Sequence, residues 1–141
     1  MRRMLMVVSG VAFAVAVMSP ATSAKQGQDA AVIDKTMKAV GPAFGTARKA
    51  VEAGDMAAAK TAAETMSQAF VETEAFFKSH GKDDGVEWAQ GAKKAADALA
   101  AAASADAAKA PAVELGKFCQ GCHTKYRDKA ADGSYTFKPG A

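Results

Sequence analysis

The feature that most constrains the fold of this 141-residue chain is a repeated spacing of apolar residues. Through residues 29–129 they recur at alternating steps of three and four, among abundant alanine and without runs of β-branched residues. That spacing is typical of amphipathic α-helices, and alanine has the highest helix propensity. Four such stretches joined by short connections predict an all-α fold, an antiparallel up-and-down four-helix bundle.

Capping residues and glycines predict where the helices begin and end. The stretches run from Asp29 to Gly54, from Asp55 to Gly81, from Asp83 or Asp84 to Ala102, and from about Asp106 to Lys129. We expect Pro42 to kink the first helix, because proline lacks a backbone N–H. Residues 130–141 lack helical periodicity, so we expect an extended or mobile tail. No strand is predicted anywhere in the chain.

Residues 1–24 have the three-part composition of a secretory signal peptide. Two arginines precede an apolar run of 14 residues, 5–18, and small residues follow it. The run is shorter than the roughly 20 residues that span a bilayer as a helix. We therefore expect cleavage after Ala24, a single domain over residues 25–141, and no stable membrane association after cleavage.

The charge of the chain implies no strongly charged partner. The formal net charge is +3, with 15 acidic residues interspersed among 18 basic ones. The lysines are scattered, whereas a surface that binds nucleic acid gathers them on one face. We therefore expect no nucleic-acid partner.

Residues 119–123 read Cys-Gln-Gly-Cys-His, which is the attachment pattern of c-type haem. Each thiol, Cys119 and Cys122, adds to one vinyl group of the porphyrin, and the adjacent imidazole of His123 then reaches the iron. A Cys119–Cys122 disulfide and a thioredoxin-like redox pair are alternatives, although the redox pair belongs in a βαβ unit. A zinc site would need more ligands than the chain offers, since its two histidines are His80 and His123. The pattern predicts one covalent haem c.

Counting residues along antiparallel helices indicates which methionine shares a level with His123. His123 stands 6 residues before the predicted end of the fourth helix, and Met37 stands 8 residues after the predicted start of the first. Met56 falls at the opposite end, and Met66 lies about 15 Å short of the motif. Met37 is thus the methionine placed to ligate the iron, the alternative being that it only packs in the core.

Large apolar residues predicted at the same end of the bundle are expected to line a pocket and exclude water. They are Val40, Phe70, Trp88 and Phe118. We expect these side chains to be pocket walls rather than redox relays. His80 is expected to be a solvated residue at a helix end.

Residues 119–127, Cys-Gln-Gly-Cys-His-Thr-Lys-Tyr-Arg, stand at the C-terminal end of an all-helical chain of this size. In this the chain resembles the class II c-type cytochromes, the cytochrome c′ family, because most other c-type cytochromes carry the motif near the N-terminus. The likeness is specific in sequence at residues 119–127 and looser around residues 35–38 and Trp88.

The resemblance implies that haem lies between the first and fourth helices. It implies thioether bonds to Cys119 and Cys122, with His123 as the proximal iron ligand. It further implies that Tyr126 packs on the haem or covers its edge, and that Arg127 lies beside the proximal pocket.

Two branches of that family differ on the distal side of the haem. High-spin members leave the sixth position empty and bind nitric oxide or carbon monoxide, whereas low-spin members use a methionine of the first helix and carry electrons. Residues 35–38, Lys-Thr-Met-Lys, look like the low-spin pattern, which implies that Met37 is the distal ligand. Where the family often has an arginine near a haem propionate, this chain has Ile33, so the propionate contacts stay unassigned.

These observations predict a periplasmic, non-enzymatic electron carrier with a His123/Met37-ligated haem and redox proteins as partners. One alternative is a five-coordinate cytochrome c′ that binds nitric oxide or carbon monoxide. Another is a haem-free helical interaction protein with a Cys119–Cys122 disulfide. Homodimers are common in the family, but no apolar stripe of this chain is obviously surplus to its core.

Overall fold

The structure, a computed structural model, describes residues 20–129, 131 and 135–138, with their side chains from residue 31 onward. The helices are α1 (Pro20–Ala53), α2 (Met56–Ser79), α3 (Asp83–Ala100) and α4 (Ala105–Tyr126). Two short strands follow, β1 (Arg127–Lys129) and β2 (Tyr135–Phe137). Four helices that pack against each other therefore dominate the described chain, which confirms the all-α prediction.

Short connections separate the helices, and residues suited to helix ends bound them. Gly54 (φ 75°) and Gly81 (φ 63°) follow α1 and α2 in the left-handed conformation, which glycine adopts without a steric penalty. Asp55 caps α2 and Ser104 caps α4, each by accepting a hydrogen bond from the backbone N–H three residues later. The predicted boundaries at Gly54, Asp55 and Gly81 are confirmed.

Two helix starts differ from the prediction. Helix α1 begins at Pro20 and runs through Asp29, because proline is favoured in the first turn and no further proline interrupts this stretch. The N-cap of α3 is Lys82, which makes no side-chain capping bond. Asp83 and Asp84 lie inside the first turn instead, where the helix dipole favours carboxylates.

Most of the predicted leader, residues 1–19, lies outside the described residues, and residues 20–24 belong to α1. Helix α1 also continues past Pro42, which is exposed, so this proline does not end the helix. Within the described part of the chain, no helix is long and apolar enough to cross a membrane.

Helix α4 ends at Tyr126, three residues earlier than predicted, because the chain turns into a β-ribbon. Strands β1 and β2 pair antiparallel, with Arg127 opposite Phe137 and Lys129 opposite Tyr135. The prediction of no strands is therefore wrong here, since three residues are too few to display an alternating pattern. The sequence does carry Asp-Gly at residues 132 and 133, a dipeptide that marks turns.

Contacts between α2 and α3 run in opposite directions along the two helices. The hydroxyl of Ser67 donates to Asp97, and seven residues further along α2, Glu74 accepts from Gln90, which is seven residues earlier on α3. The pair is thus antiparallel, and the short connections give the same relation to α1 and α2 and to α3 and α4. Helix α1 also packs against α4, which closes the four-helix arrangement.

One hydrophobic core runs along the bundle. Its largest fully buried side chains are Met66, Leu99 and Leu115, and the space around them is filled largely by alanine. Small side chains let helix backbones approach closely, although each contributes little apolar area.

Candidate functional site

The cysteine–histidine motif lies on the last two turns of α4. Cys119, Cys122 and His123 are all half-buried, and both cysteines are free thiols. Cys119 packs against the hydrophobic core. Residues three and four apart share one face of a helix, so the three side chains project from one flank of α4.

Helix α1 meets this flank of α4 where Phe44 approaches Gly116. A methyl group on Gly116 would lie 3.6 Å from Cζ of Phe44. His123 follows Gly116 by seven residues, and Met37 precedes Phe44 by seven. Seven residues make about two helical turns. Because the two helices run in opposite directions, Met37 and His123 lie at the same level of this contact, which we call the α1–α4 seam.

The α1–α4 seam is packed less closely than the other contacts between neighbouring helices. Fewer residues of α1 and α4 approach each other than in the three pairs that follow each other along the chain. Met37 and His123 are both only half-buried, whereas Val40, one turn further along α1, is 5% exposed. The seam therefore combines a thioether and an imidazole on facing helices with incomplete packing around them.

The side of α4 that faces α3 is packed with aromatic rings. A methyl group on Gly121 would lie 3.5 Å from the indole of Trp88, and one on Gly91 would overlap the ring of Phe118. The ring centroids of Trp88 and Tyr126 are 6.0 Å apart. Trp88 and Phe118 thus approach α4 from α3, and Tyr126, which follows Cys122 by four residues, brings the Trp88 ring beside the face that carries the motif; their assignment to one pocket stays a prediction.

The other two predicted wall residues belong to the interior. Val40 and Phe70 are 5% and 4% exposed and lie in the main core cluster. Met37 and Cys119 pack against that same cluster from its edge. Phe118 packs against it as well, so three of the four predicted wall residues belong to or adjoin the cluster that Met37 and Cys119 contact.

Arg127 and His80 lie at exposed helix ends. Arg127 is the C-cap of α4, and its guanidinium lies 4.3 Å from the ring centroid of Tyr135 in β2. His80 is the C-cap of α2 and stacks on Phe76 with a centroid distance of 4.4 Å. The hairpin therefore positions Arg127, and His80 lies at a helix end as predicted.

Burial sets the protonation states of the motif. It raises the pKa of both thiols, that of Cys122 to about 11, where the neighbouring Cys119 and Asp84 add to the rise. Burial, and then the charge of Arg127, lowers the pKa of His123. The thiols therefore stay protonated near pH 7, which disfavours thiolate redox chemistry, and the imidazole stays neutral, the form that ligates metals.

Asp84 connects the start of α3 to the end of α4. Its Oδ1 accepts a hydrogen bond of 2.6 Å from the Tyr126 hydroxyl, and its Oδ2 accepts one from Lys125 Nζ. Lys125 first, and then Tyr126, holds the pKa of Asp84 below its usual range. Burial, and then Asp84, raises the pKa of Tyr126, so the hydroxyl keeps its proton and donates. Sequence reasoning missed Asp84, because partners 42 residues apart leave no local signal.

A shallow groove of about 460 Å³ lies beside Trp88 on the α3–α4 flank. Its walls are Trp88, Lys117, Gln120, Gly121, Thr124 and Lys125. Both lysines are ion-paired, Lys117 with Glu114 and Lys125 with Asp84. The groove therefore exposes part of the indole between compensated charges.

Among the residues whose side chains the structure describes, no three His, Cys, Asp or Glu side chains are grouped as ligands for a metal ion. A haem iron needs fewer ligands from the chain, because the porphyrin supplies the others and the protein supplies axial groups such as His and Met. Helices α1 and α4 provide one of each, Met37 and His123, at one level, next to two free thiols. The residues present therefore fit a covalently bound haem.

No protein-family model, curated protein or solved structure matches this chain. The site is thus argued from its own residues. The register of the α1–α4 seam is set by Phe44, which the sequence places only on the apolar stripe of the first helix, and by Gly116, which sequence reasoning did not single out. The available signal was the seven-residue spacing of Phe44 from Met37 along one apolar stripe.

Proposed function

We propose that this chain is a periplasmic c-type cytochrome that carries single electrons on one covalently bound haem c. Cys119 and Cys122 are the thioether anchors, His123 is the proximal iron ligand and Met37 is the distal one. The observation that best supports the proposal is the common level of Met37 and His123, set by the approach of Phe44 to α4.

When bound, a haem supplies reversible one-electron exchange at its iron. The neutral imidazole of His123 has a free lone pair to donate, and the charge of Arg127 disfavours its protonation. As a ligand of that iron, the thioether of Met37 would favour the reduced form and raise the reduction potential. Val40 and Phe70 exclude water from the core side of the motif.

The contacts between α3 and α4 hold α4 in place. Phe118 packs on Gly91, and Trp88 packs on Gly121 and beside Tyr126. In this proposal the antiparallel up-and-down bundle is a rigid frame that keeps the motif opposite α1.

The proposed partners are redox proteins, because a single-electron carrier takes its electron from one protein and gives it to another. We propose no enzymatic activity, since the function needs no bond-making step on a substrate. The leader predicted in residues 1–24 supports a periplasmic location. The low net charge offers no reason to invoke nucleic acid.

A second candidate function is the binding of nitric oxide or carbon monoxide at a five-coordinate iron. The observation that favours it is the packing of Met37 against the core cluster, the contact that a methionine without a bond to iron would make. The same side chain therefore decides between the two functions.

The deciding experiment is expression with the leader in a host competent for c-type maturation, followed by visible spectra of the oxidised and reduced forms. Low-spin bands that carbon monoxide leaves unchanged, with a weak sulfur-to-iron band in the near infrared, would support electron transfer. High-spin bands that shift with carbon monoxide would favour gas binding. A colourless product would favour the remaining alternative, a haem-free helical interaction protein with a Cys119–Cys122 disulfide.

Met37→Leu and Met66→Leu form a matched pair for the same experiment. Both replace a thioether by a side chain of similar volume, at a cost in stability below about 1.5 kcal/mol. We expect Met37→Leu to retain covalent haem, become high-spin, lose potential and bind carbon monoxide. Met66 is fully buried, and its level along the bundle is about 15 Å short of the motif, so Met66→Leu should leave the spectrum unchanged. An unchanged spectrum in Met37→Leu would remove Met37 as a ligand.

A further inference from the structure

The last turn of α4 carries His123, and directly after it the chain leaves the helix for the β-ribbon. Helix ends open locally at lower free energy than the core of a helix. Tyr126 follows His123 by three residues, so the two side chains belong to adjacent positions on the same turn. Any contact that holds Tyr126 therefore holds the turn that presents His123.

The side chain of Tyr126 makes two ring contacts and one hydrogen bond with other helices although the residue ends α4, and its carbonyl oxygen accepts from the Lys138 N–H. Its side chain is 3% exposed, and its ring centroid lies 4.8 Å from that of Phe77 and 6.0 Å from that of Trp88. Its hydroxyl donates to Asp84 at 2.6 Å. The ring contacts are nonpolar and permit sliding, whereas the hydrogen bond fixes one atom against α3.

Asp84 also accepts from Lys125, so its two carboxylate oxygens engage two successive residues of α4. Asp84 lies in the first turn of α3, where backbone N–H groups also favour its charge. One side chain on α3 thus joins the start of that helix to the final turn of α4.

We propose that Asp84 is a positioning residue for His123, acting through Tyr126 and Lys125 to hold the last turn of α4 against α3. The proposal rests on the proposed function in that His123 is the iron ligand. The hydrogen bonds of Asp84 go to Lys125 and Tyr126 and not to His123, so its role at His123 is indirect.

Asp97 provides a matched control on the same helix. It accepts hydrogen bonds from the Ser67 hydroxyl at 2.5 Å and from Lys93 Nζ at 2.7 Å, so it too pairs one hydroxyl with one lysine. It lies thirteen residues after Asp84, about 20 Å along α3. A merely structural effect of losing such a carboxylate would occur at both positions.

The first test uses the fluorescence of Trp88, the single tryptophan of the chain, in protein produced without haem maturation. Trp88 contacts the last turns of α4 at Gly121 and Tyr126. We expect Asp84→Ala to shift its emission to longer wavelength and to increase quenching by acrylamide, because the α4 turn moves away. Asp97→Ala should change neither signal, and Asp84→Asn, which keeps an acceptor for Tyr126, should restore much of the native signal.

The second test uses the haem-loaded protein and compares two melting curves. In Asp84→Ala we expect the visible bands of ligated iron to be lost at a lower temperature than the far-ultraviolet signal of the helices. In the unsubstituted protein and in Asp97→Ala the two signals should be lost together. Such an early loss reports local opening at the ligand rather than global unfolding.

Tyr126→Phe keeps the proposal testable if Asp84→Ala does not fold. It removes the hydroxyl and retains the ring, so we expect a smaller fluorescence change of the same sign. Equal changes in Asp84→Ala and Asp97→Ala, or no change in either Asp84→Ala or Tyr126→Phe, would overturn the proposal. If the unsubstituted protein is colourless, the proposed function fails, while the Trp88 measurement still tests whether Asp84 positions the end of α4.

Discussion

The two ends of the bundle are packed in different ways. At the end where α4 begins, small side chains fill the interior around Leu99. The alanines there that are inaccessible to solvent are Ala59, Ala63, Ala96 and Ala108. At the motif end, large rings such as Phe77 and Tyr126 are buried instead, yet His123 beside them is only half-buried.

This difference indicates that the helices are closely packed all round at one end of the bundle but not at the other. Alanine seams let the helices close together, which seals the first end even though each alanine contributes little apolar area. At the motif end the α3 flank of α4 is tightly filled, but the α1–α4 seam is loosely packed around Met37 and His123. Under the proposed function, bound haem supplies the apolar surface that this seam lacks.

The largest expected effect comes from replacing the two cysteines that would attach haem at the motif end. We expect the double variant Cys119→Ala, Cys122→Ala to lose all covalently attached haem, because no thiol remains to form a thioether. Haem staining of denatured protein after electrophoresis measures this directly. The single variant Cys119→Ala serves as a control that should retain one attachment. Covalent colour in the double variant would contradict the assignment.

At the end of the bundle where α4 begins, a substitution should change the free energy of unfolding and leave the visible spectrum unchanged. Leu99 is fully buried, and Leu99→Ala should lower the free energy of unfolding by about 3 kcal/mol, because the substitution leaves a cavity that the helices only partly close. Urea denaturation followed by circular dichroism measures the loss. The visible spectrum should not change. A spectral change as large as that of Met37→Leu would mean that the two ends are not independent.

Two glycine-to-alanine substitutions compare a tightly packed position with an open one. A methyl group at Gly91 would overlap the Phe118 ring, so Gly91→Ala should cost about 1–3 kcal/mol. Nothing lies within 4 Å of a methyl group at Gly45. Gly45→Ala should therefore raise the free energy of unfolding by as much as about 1 kcal/mol, because alanine has the higher helix propensity. Denaturation curves of both variants test the prediction. A gain in stability in Gly91→Ala as well would show that α3 and α4 are not tightly packed at Phe118.

The smallest expected effect concerns the ribbon at the motif end. Phe137 of β2 stacks on Phe76 with a centroid distance of 5.2 Å, and Phe137→Ala should cost about 1 kcal/mol. Val113→Ala is the control, because Val113 is 62% exposed and its loss should change stability by less than about 0.5 kcal/mol. If both variants melt alike, the ribbon does not stabilise this end.

Local signals predicted most of the helical framework. Gly54 and Gly81 end helices because they adopt a left-handed conformation, and Asp55 caps α2 because its side chain reaches a free N–H. These features depend on residues within one turn of each other, so the sequence displays them directly. The cap of α3 was misassigned because Asp84 makes its hydrogen bonds to α4 instead.

In the candidate site, too, some features are visible in the sequence and others are not. The spacing of Cys119, Cys122 and His123 is visible in the sequence, and so is the level of Met37 on an antiparallel neighbour. Which flank of α4 each aromatic residue covers is not visible. Residue counting gives a level along the bundle but no direction around it, so the sequence did not show that Trp88 meets α4 at Gly121.

The sequence by itself determined four helices, most of their ends and the attachment motif, because periodicity, capping and the Cys-Gln-Gly-Cys-His spacing are local properties. Only the tertiary structure decided that Phe44 meets Gly116, that Asp84 holds Tyr126, and that β2 folds back on the end of α4. Each of these depends on the rotation of one element against another. That rotation is set by the packing of side chains distant in sequence, which no local pattern encodes.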